Sequence, residues 1–206
     1  MLNETKKIIL IGGAPTTGKS TMAQNLSKHL NLPWISTDQI RDLMRATVNE
    51  KDFPVLFISK EHTAESFLNK YSVEEIVQEE MDEAEAVWSG VKWFIEKDYT
   101  WEDGFIIEGV SLLPHLIAGD FKNKENLKAV FLVDEDEIRV RDIVFNRGLW
   151  GDANTYSDDV KEKEVEWALL FSHKLKKEAE EYGYPLVEVK KHEDDLKVVL
   201  EALKLK

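Results

Sequence analysis

The sequence predicts an α/β fold: a five-stranded, mostly parallel sheet with helices on both faces and a helical insertion after the second strand, with 1–206 forming a single domain. Three observations predict it. A short β-branched run ends in paired glycines and leads into a helical stripe, four further apolar runs alternate with helical periods, and no repeat or low-complexity linker interrupts the 206 residues.

The first run, Lys6 to Ile11, is stopped by Gly12-Gly13, as expected of a strand buried on both faces. Lys19 to Leu30 sets Met22, Ala23, Leu26 and Leu30 on one helical face, and Pro33 prevents that helix from continuing. Trp34-Ile35-Ser36 is a short second strand. It leads into Ser36-Thr-Asp-Gln39, a capping box for a helix carrying Ile40, Leu43 and Met44.

From about 47 to 99 no segment reads as a parallel strand, and this is the insertion. Ser72-Val-Glu-Glu75 opens a long helix there, with the stripe Val73, Ile76, Val77, Met81, Ala84, Trp88, Val91 and Ile95. The acidic stretch Glu74 to Glu85 reads as its solvated face. The insertion stands where a substrate cover would stand.

Gly104 to Gly109 and Ala129 to Asp134 are two more buried strands, with a helix through Leu112, Leu116 and Ile117 between them. Glu135 to Asn146 is helix-like, and Gly148 to Ser157 is polar and turn-rich, so 135–157 is the candidate lid. A long helix from Asp158 to about Glu181, a fifth strand at Pro185 to Val189 and a helix from Asp194 to Leu205 complete the pattern.

Composition removes several classes of function. The chain has 27 Lys and Arg against 40 Asp and Glu, a net charge of -13, which is the wrong balance for a nucleic-acid binder. No apolar run reaches the roughly 20 residues of a membrane span, and Met1 to Lys7 lacks a signal-peptide layout, so a cytoplasmic location is expected. With no cysteine there is no disulfide, thiolate metal site or thiol nucleophile. Only five cations are Arg, clustered as Arg41 and Arg45 and as Arg139, Arg141 and Arg147, a placement that suggests local anion sites.

Gly13-Ala-Pro-Thr-Thr-Gly18-Lys19-Ser20 fits G-x-x-x-x-G-K-[ST] between a strand and a helix, the context a P-loop requires. Gly13, Ala14, Pro15, Thr16, Thr17 and Gly18 would wrap the phosphates of ATP with backbone amides. Lys19 would reach the β- and γ-phosphates, Ser20 would bind Mg²⁺, and Thr21 would touch the α-phosphate. Glu108, ending the third strand, is placed to hold the water shell of Mg²⁺ and to border the acceptor.

Asp38 lies at the carboxyl end of strand two, beside the crevice where open α/β sheets bind ligands. Arg41 and Arg45 follow at one and two turns, on the same helix face. Asp38 would orient or deprotonate an acceptor hydroxyl, and the two arginines would clamp an anionic group on the same small molecule. In the lid, Arg147 is the first choice to neutralise the transferring phosphoryl group, with Arg141 the second. Arg139 and Arg141 are two residues apart and cannot both face the site from one helix. His62 and His115 are weaker candidates for the acceptor pocket, and Trp150 offers a ring to an adenine.

These residues resemble the 2-phosphoglycerate kinase family, within the nucleoside-monophosphate-kinase-like P-loop kinases. The resemblance rests on Ile11 to Thr21, on Ile35-Ser-Thr-Asp-Gln-Ile-Arg41 and on Ile107-Glu-Gly-Val-Ser-Leu-Leu-Pro114, with a weaker likeness at Val133 to Asp136 and Arg147. It implies transfer of the ATP γ-phosphoryl group to the free hydroxyl of 2-phosphoglycerate, giving 2,3-bisphosphoglycerate. Zeta-toxin-like and chloramphenicol-phosphotransferase-like kinases use the same scaffold, so a nucleotide, a sugar nucleotide or an antibiotic is an alternative acceptor. A nucleotide-binding regulator without turnover is the alternative of another class. A Ras-like GTPase is disfavoured, since no D-x-x-G follows the loop and Asn123-Lys-Glu-Asn126 lacks the final Asp of a guanine-reading string.

Overall fold

A computed structural model describes residues 6–58, 62–149, 155–189 and 195–205. At its centre is β1 (Lys7–Gly13), between β3 (Gly104–Gly109) and β4 (Leu127–Val133), with β2 (Trp34–Ser36) and β5 (Leu186–Glu188) outside them. The order is β2-β3-β1-β4-β5 and every pairing is parallel. All five strands therefore deliver their carboxyl ends to one edge, where open α/β sheets bind ligands.

β1 shows why the sheet is covered on both sides. Ile8 and Leu10 belong to one core and Ile9 and Ile11 to another, as alternation along a strand requires. The second core is formed with α1 (Lys19–Leu30) and α8 (Asp195–Ala202), through Met22, Leu26 and Val199. The first and larger core takes in Ile40 of α2 (Thr37–Thr47), the inner stripe of α4 (Val73–Lys97), Ile117 of α5 (Pro114–Phe121) and Phe171 of α7 (Asp158–Tyr182).

Between β2 and β3 the chain runs through α2, a 3-10 turn (Pro54–Phe57), α3 (Ala64–Lys70) and α4. Both expected capping boxes form: the side chain of Ser36 accepts from Gln39 N, that of Ser72 from Glu75 N, and each partner reaches back. α3 has its own cap, Thr63, and was not legible in the periodicity.

After β4, α6 (Glu137–Arg147) packs on α7 through Val140, Val144, Val165 and Ala168. α7 also ties distant segments together. Lys163 Nζ donates to the carbonyls of Leu68 and Tyr71 at the end of α3, while the fully buried Glu164 accepts from Tyr156 Oη at 2.8 Å and Leu149 N at 3.3 Å. Among the described residues no helix is long and apolar enough to cross a membrane.

Candidate active site

β1 ends in a backbone curl. A Cβ on Gly13 would lie 2.6 Å from the Leu132 carbonyl and 2.8 Å from Thr17 Oγ1, so only glycine fits. Thr16 and Gly18 are left-handed, with φ of 72° and 74°, a combination that gathers successive N–H groups into an anion nest at the start of a helix. Inside the curl the Ala14 carbonyl accepts from Thr17 Oγ1 at 2.8 Å and from Lys19 Nζ at 2.7 Å. Burial lowers the Lys19 ammonium to a pKa of about 8, against the pull of Glu108, Asp38 and Glu80. Thr16 Oγ1 is buried and has no hydrogen-bond partner among the described residues.

Strand register brings two oxygen groups to this loop. Glu108 pairs with Ile11 on β1 and with Ser36 on β2, so it stands beside the loop and one residue from α2. Its Oε1 accepts from Ser20 Oγ at 3.1 Å. Burial raises its carboxyl above the usual range, although Lys19 and Ser20 hold it down. Gly109 lets β3 end against α2, because a Cβ there would overlap Thr37 Oγ1. Asp38 is the next residue, and its Oδ1 lies 3.2 Å from Arg41 Nη1.

These groups line one cleft of about 810 Å³. Pro15, Thr16, Gly18, Lys19, Ser20 and Thr21 form its phosphate side, with Gly13, Ala14 and Thr17 supporting them from within the loop. Asp38, Arg41, Glu80 and Glu108 form the other side. α6 contributes Arg139, Asp142, Ile143 and Asn146, an i, i+3, i+4, i+7 face, and then Arg147. A smaller hollow of about 300 Å³ adjoins it at Gly18 and Thr21, with apolar walls from Leu132, Val187 and Val189.

Four of the expected side chains lie outside the cleft. Arg141 is on the other side of α6, paired with Glu162 and Glu137 and over the Phe145 ring; the face that lines the cleft begins at Arg139 instead. Arg139 is held by the buried Asp134, with Nη2 2.5 Å from Oδ2. Arg45 lies behind the α2 side of the cleft, bound to the Leu56 carbonyl and to Glu83 at 2.6 Å. His115 pairs with Glu178, His62 lies near Ser66 and Phe67, and neither lines the cleft. Trp150 lies outside the described residues.

The acidic stretch of α4 is not uniformly solvated. Glu83 is 7% exposed and bridges Arg41 and Arg45, and Glu80 lines the cleft. Burial, reinforced by Glu83, pushes the Glu80 carboxyl up to about 7. Sequence reading missed Glu80 and Trp167, a buried cleft residue on α7, and preferred Arg141 to Arg139. One signal was available: Glu80 is four residues from both Ile76 and Ala84, on the inner stripe.

The chain is similar to proteins of known name. It is 36% identical over 134 residues to 2-phosphoglycerate kinase of Methanothermobacter thermautotrophicus, which covers 63% of this chain and 44% of that one. It is 33% identical over 132 residues to 2-phosphoglycerate kinase of Methanopyrus kandleri, covering 63% and 40%. The chain thus spans less than half the length of these relatives. No protein-family model matches it. Among solved structures, shikimate kinase of Bacteroides thetaiotaomicron superposes with a TM-score of 0.56 at 15% identity, covering 97% of this chain and 99% of that one. Shikimate kinase of Aquifex aeolicus gives 0.50 at 20% identity, covering 96% of each. The fold is that of the P-loop kinases.

Proposed function

We propose that the protein is an ATP- and Mg²⁺-dependent kinase that transfers the γ-phosphoryl group to a hydroxyl of a small acceptor held between α2 and α4. One observation carries this reading. Lys19, the Ser20–Glu108 pair, Asp38 and Arg139 and Arg147 of α6 all converge on a single cleft at the carboxyl edge of the sheet. The similarity to 2-phosphoglycerate kinases supports the reaction class.

The residues fit the groups they would hold. The left-handed curl and the free Thr16 hydroxyl suit a polyphosphate, and Ser20 and Glu108 form a hard-oxygen donor set suited to Mg²⁺. Mg²⁺, when bound, neutralises charge on the phosphate oxygens. The apolar hollow beside Thr21 has room for a purine base.

Lys19 would leave the Ala14 carbonyl and turn to the phosphates. Asp38 would accept the proton of the acceptor hydroxyl as its oxygen bonds to the γ-phosphorus and the bridging oxygen departs with ADP. Arg139 and Arg147 would neutralise charge on the transferring group from the α6 side and help exclude water.

The test is mass-resolved transfer from ATP and Mg²⁺ to a panel of hydroxyl acceptors, 2-phosphoglycerate included, with Lys19→Ala as control. Transfer that falls at least about 100-fold in the variant is expected. A folded Lys19→Ala protein transferring at the normal rate overturns the reading.

A further inference from the structure

Trp167 of α7 borders the cleft with its donor unused. The residue is 4% exposed, and its Nε1 is buried without a hydrogen-bond partner among the described residues. An indole N–H can only donate, so a buried one with no acceptor keeps the full cost of leaving water. Its neighbours on α7 are served. The fully buried Glu164 accepts from Tyr156 Oη and Leu149 N, and the buried Ser172 Oγ accepts from Asp134 N at 2.9 Å. Trp167 differs from them in facing the cleft.

The two faces of the sheet show which half of the cleft this donor serves. Met22, Leu132 and Val187, which wall the smaller hollow beside Thr21, belong to the core formed with α1 and α8. Trp167 belongs to the core on the opposite face, with Ile40 of α2 and Ile76, Val77 and Ala84 of α4. Its donor is therefore on the sheet face of Asp38, Arg41 and Glu80, away from the hollow that has room for a base.

Arg41 repeats the pattern from α2. Its Nη1 meets Glu83 Oε2 at 3.1 Å and Asp38 Oδ1 at 3.2 Å, but its Nε is buried and unbonded, with Asp42 Oδ1 3.5 Å away. Lys19, Arg139 and Arg147 line the same cleft. Of the carboxylates there, Glu108 is bonded to Ser20 and Asp38 is paired with Arg41. Burial, reinforced by Glu83, pushes Glu80 up to about 7, so near neutral pH much of it carries no charge.

We infer that Trp167 is an acceptor-binding residue, whose indole N–H donates to an oxygen of an anionic group, carboxylate or phosphate ester, on the molecule to be phosphorylated, with Arg41 as the cationic partner on α2. The assignment rests on the kinase reading and deepens it. A hydrogen bond to a charged oxygen is roughly twice as strong as one between neutral groups, and an indole supplies direction without adding charge. An anion on this face would give both unused donors an acceptor.

The experiment follows the Trp167 Nε1–H resonance in protein labelled with ¹⁵N, in the presence of Mg²⁺ and a non-hydrolysable ATP analogue. Sequential assignment identifies the peak, so this readout does not depend on a variant folding. The probes are 2-phosphoglycerate, glycerate, glycerol 2-phosphate and glycerol. A downfield shift of the indole proton is expected with 2-phosphoglycerate and not with glycerol; glycerate and glycerol 2-phosphate then show whether carboxylate or phosphate is the group held. In ATP-dependent transfer, Trp167→Phe keeps a ring but loses the donor, and should raise the KM of the anionic acceptor about tenfold while that for ATP stays within about twofold. A shift with an anion but no transfer supports Trp167 as the anion's donor and removes the kinase reading. Transfer to an anion with the peak unmoved and KM unchanged in Trp167→Phe supports the kinase reading and overturns the assignment. A peak that moves with the nucleotide analogue only, with glycerol only or with none of these probes overturns it as well.

Discussion

Ser20 Oγ donates to Glu108 Oε1 across 3.1 Å, so the second residue of α1 and the end of β3, far apart in sequence, share one proton. A metal ion held between the Ser20 hydroxyl oxygen and the Glu108 carboxylate would take the place of that hydrogen bond, the hydroxyl keeping its proton. Ser20→Ala and Glu108→Gln should each lower kcat at least about tenfold and raise the Mg²⁺ concentration for half-maximal rate. A Mg²⁺ titration of initial rates checks this, and unchanged half-saturation in both variants would remove these residues from the metal site.

Lys19 carries a second prediction, with a definite sign. Its pKa of about 8 in the free protein lies below the ordinary 10.5, so between these values it is largely neutral before nucleotide binds. Polyphosphate beside it favours the charged form. Binding a non-hydrolysable ATP analogue at pH 9 should therefore take up close to one proton at this group. Calorimetry in buffers of different ionisation enthalpy measures that uptake, and Lys19→Met should abolish it.

The arginines of α6 should separate by the side of the helix they occupy. Arg147→Ala and Arg139→Ala are expected to lower kcat at least about 100-fold, since charge neutralisation provides much of phosphoryl-transfer catalysis. Arg141→Ala should leave kcat and both KM values unchanged, because its partners are Glu137 and Glu162 on the surface. Steady-state kinetics of the three variants decides it, with circular dichroism to confirm folding of Arg139→Ala, whose side chain also holds Asp134.

Gly109→Ala should destabilise the protein by about 2–4 kcal/mol, because the added methyl group would overlap Thr37, the first residue of α2. Urea unfolding measures the loss. Any folded fraction should bind the acceptor more weakly than ATP, since the displaced helix carries Asp38.

Glu83→Ala should cost about 2–3 kcal/mol, the range for removing one partner of a buried ion pair discounted for the partial exposure of Arg41 and Arg45. The same urea experiment reads it. A loss within about 0.5 kcal/mol would show that the guanidiniums are served by water instead.

The parts legible in the sequence were those fixed by local chemistry. The P-loop, the caps at Ser36 and Ser72 and the apolar runs of β1, β3 and β4 depend on residues within a few positions of one another, and periodicity reports them directly. The side of a charged helix was harder. Arg141 and Arg139 differ by two residues, and only the packing of Val140 and Val144 on α7 decides which turns inward. Arg45 shares a face with Asp38 and Arg41, as the spacing requires, but Glu83 lies 38 residues further along the chain and holds it behind the wall. Glu80 was hidden by its neighbours, since an acidic run looks like a solvated surface unless each position is projected onto the helix.

The strand order has a consequence for how such a protein diversifies. β1 carries the phosphate loop at the middle of the sheet, while the acceptor wall hangs from the β2 side and the arginine-bearing helix from the β4 side. On the proposed reading, changes on the α2 and α4 side of the cleft would alter the acceptor while the central loop keeps its shape. Inheritance of the loop and inheritance of the acceptor are separable in this architecture, and descendants of one ancestor can share the first while parting company on the second.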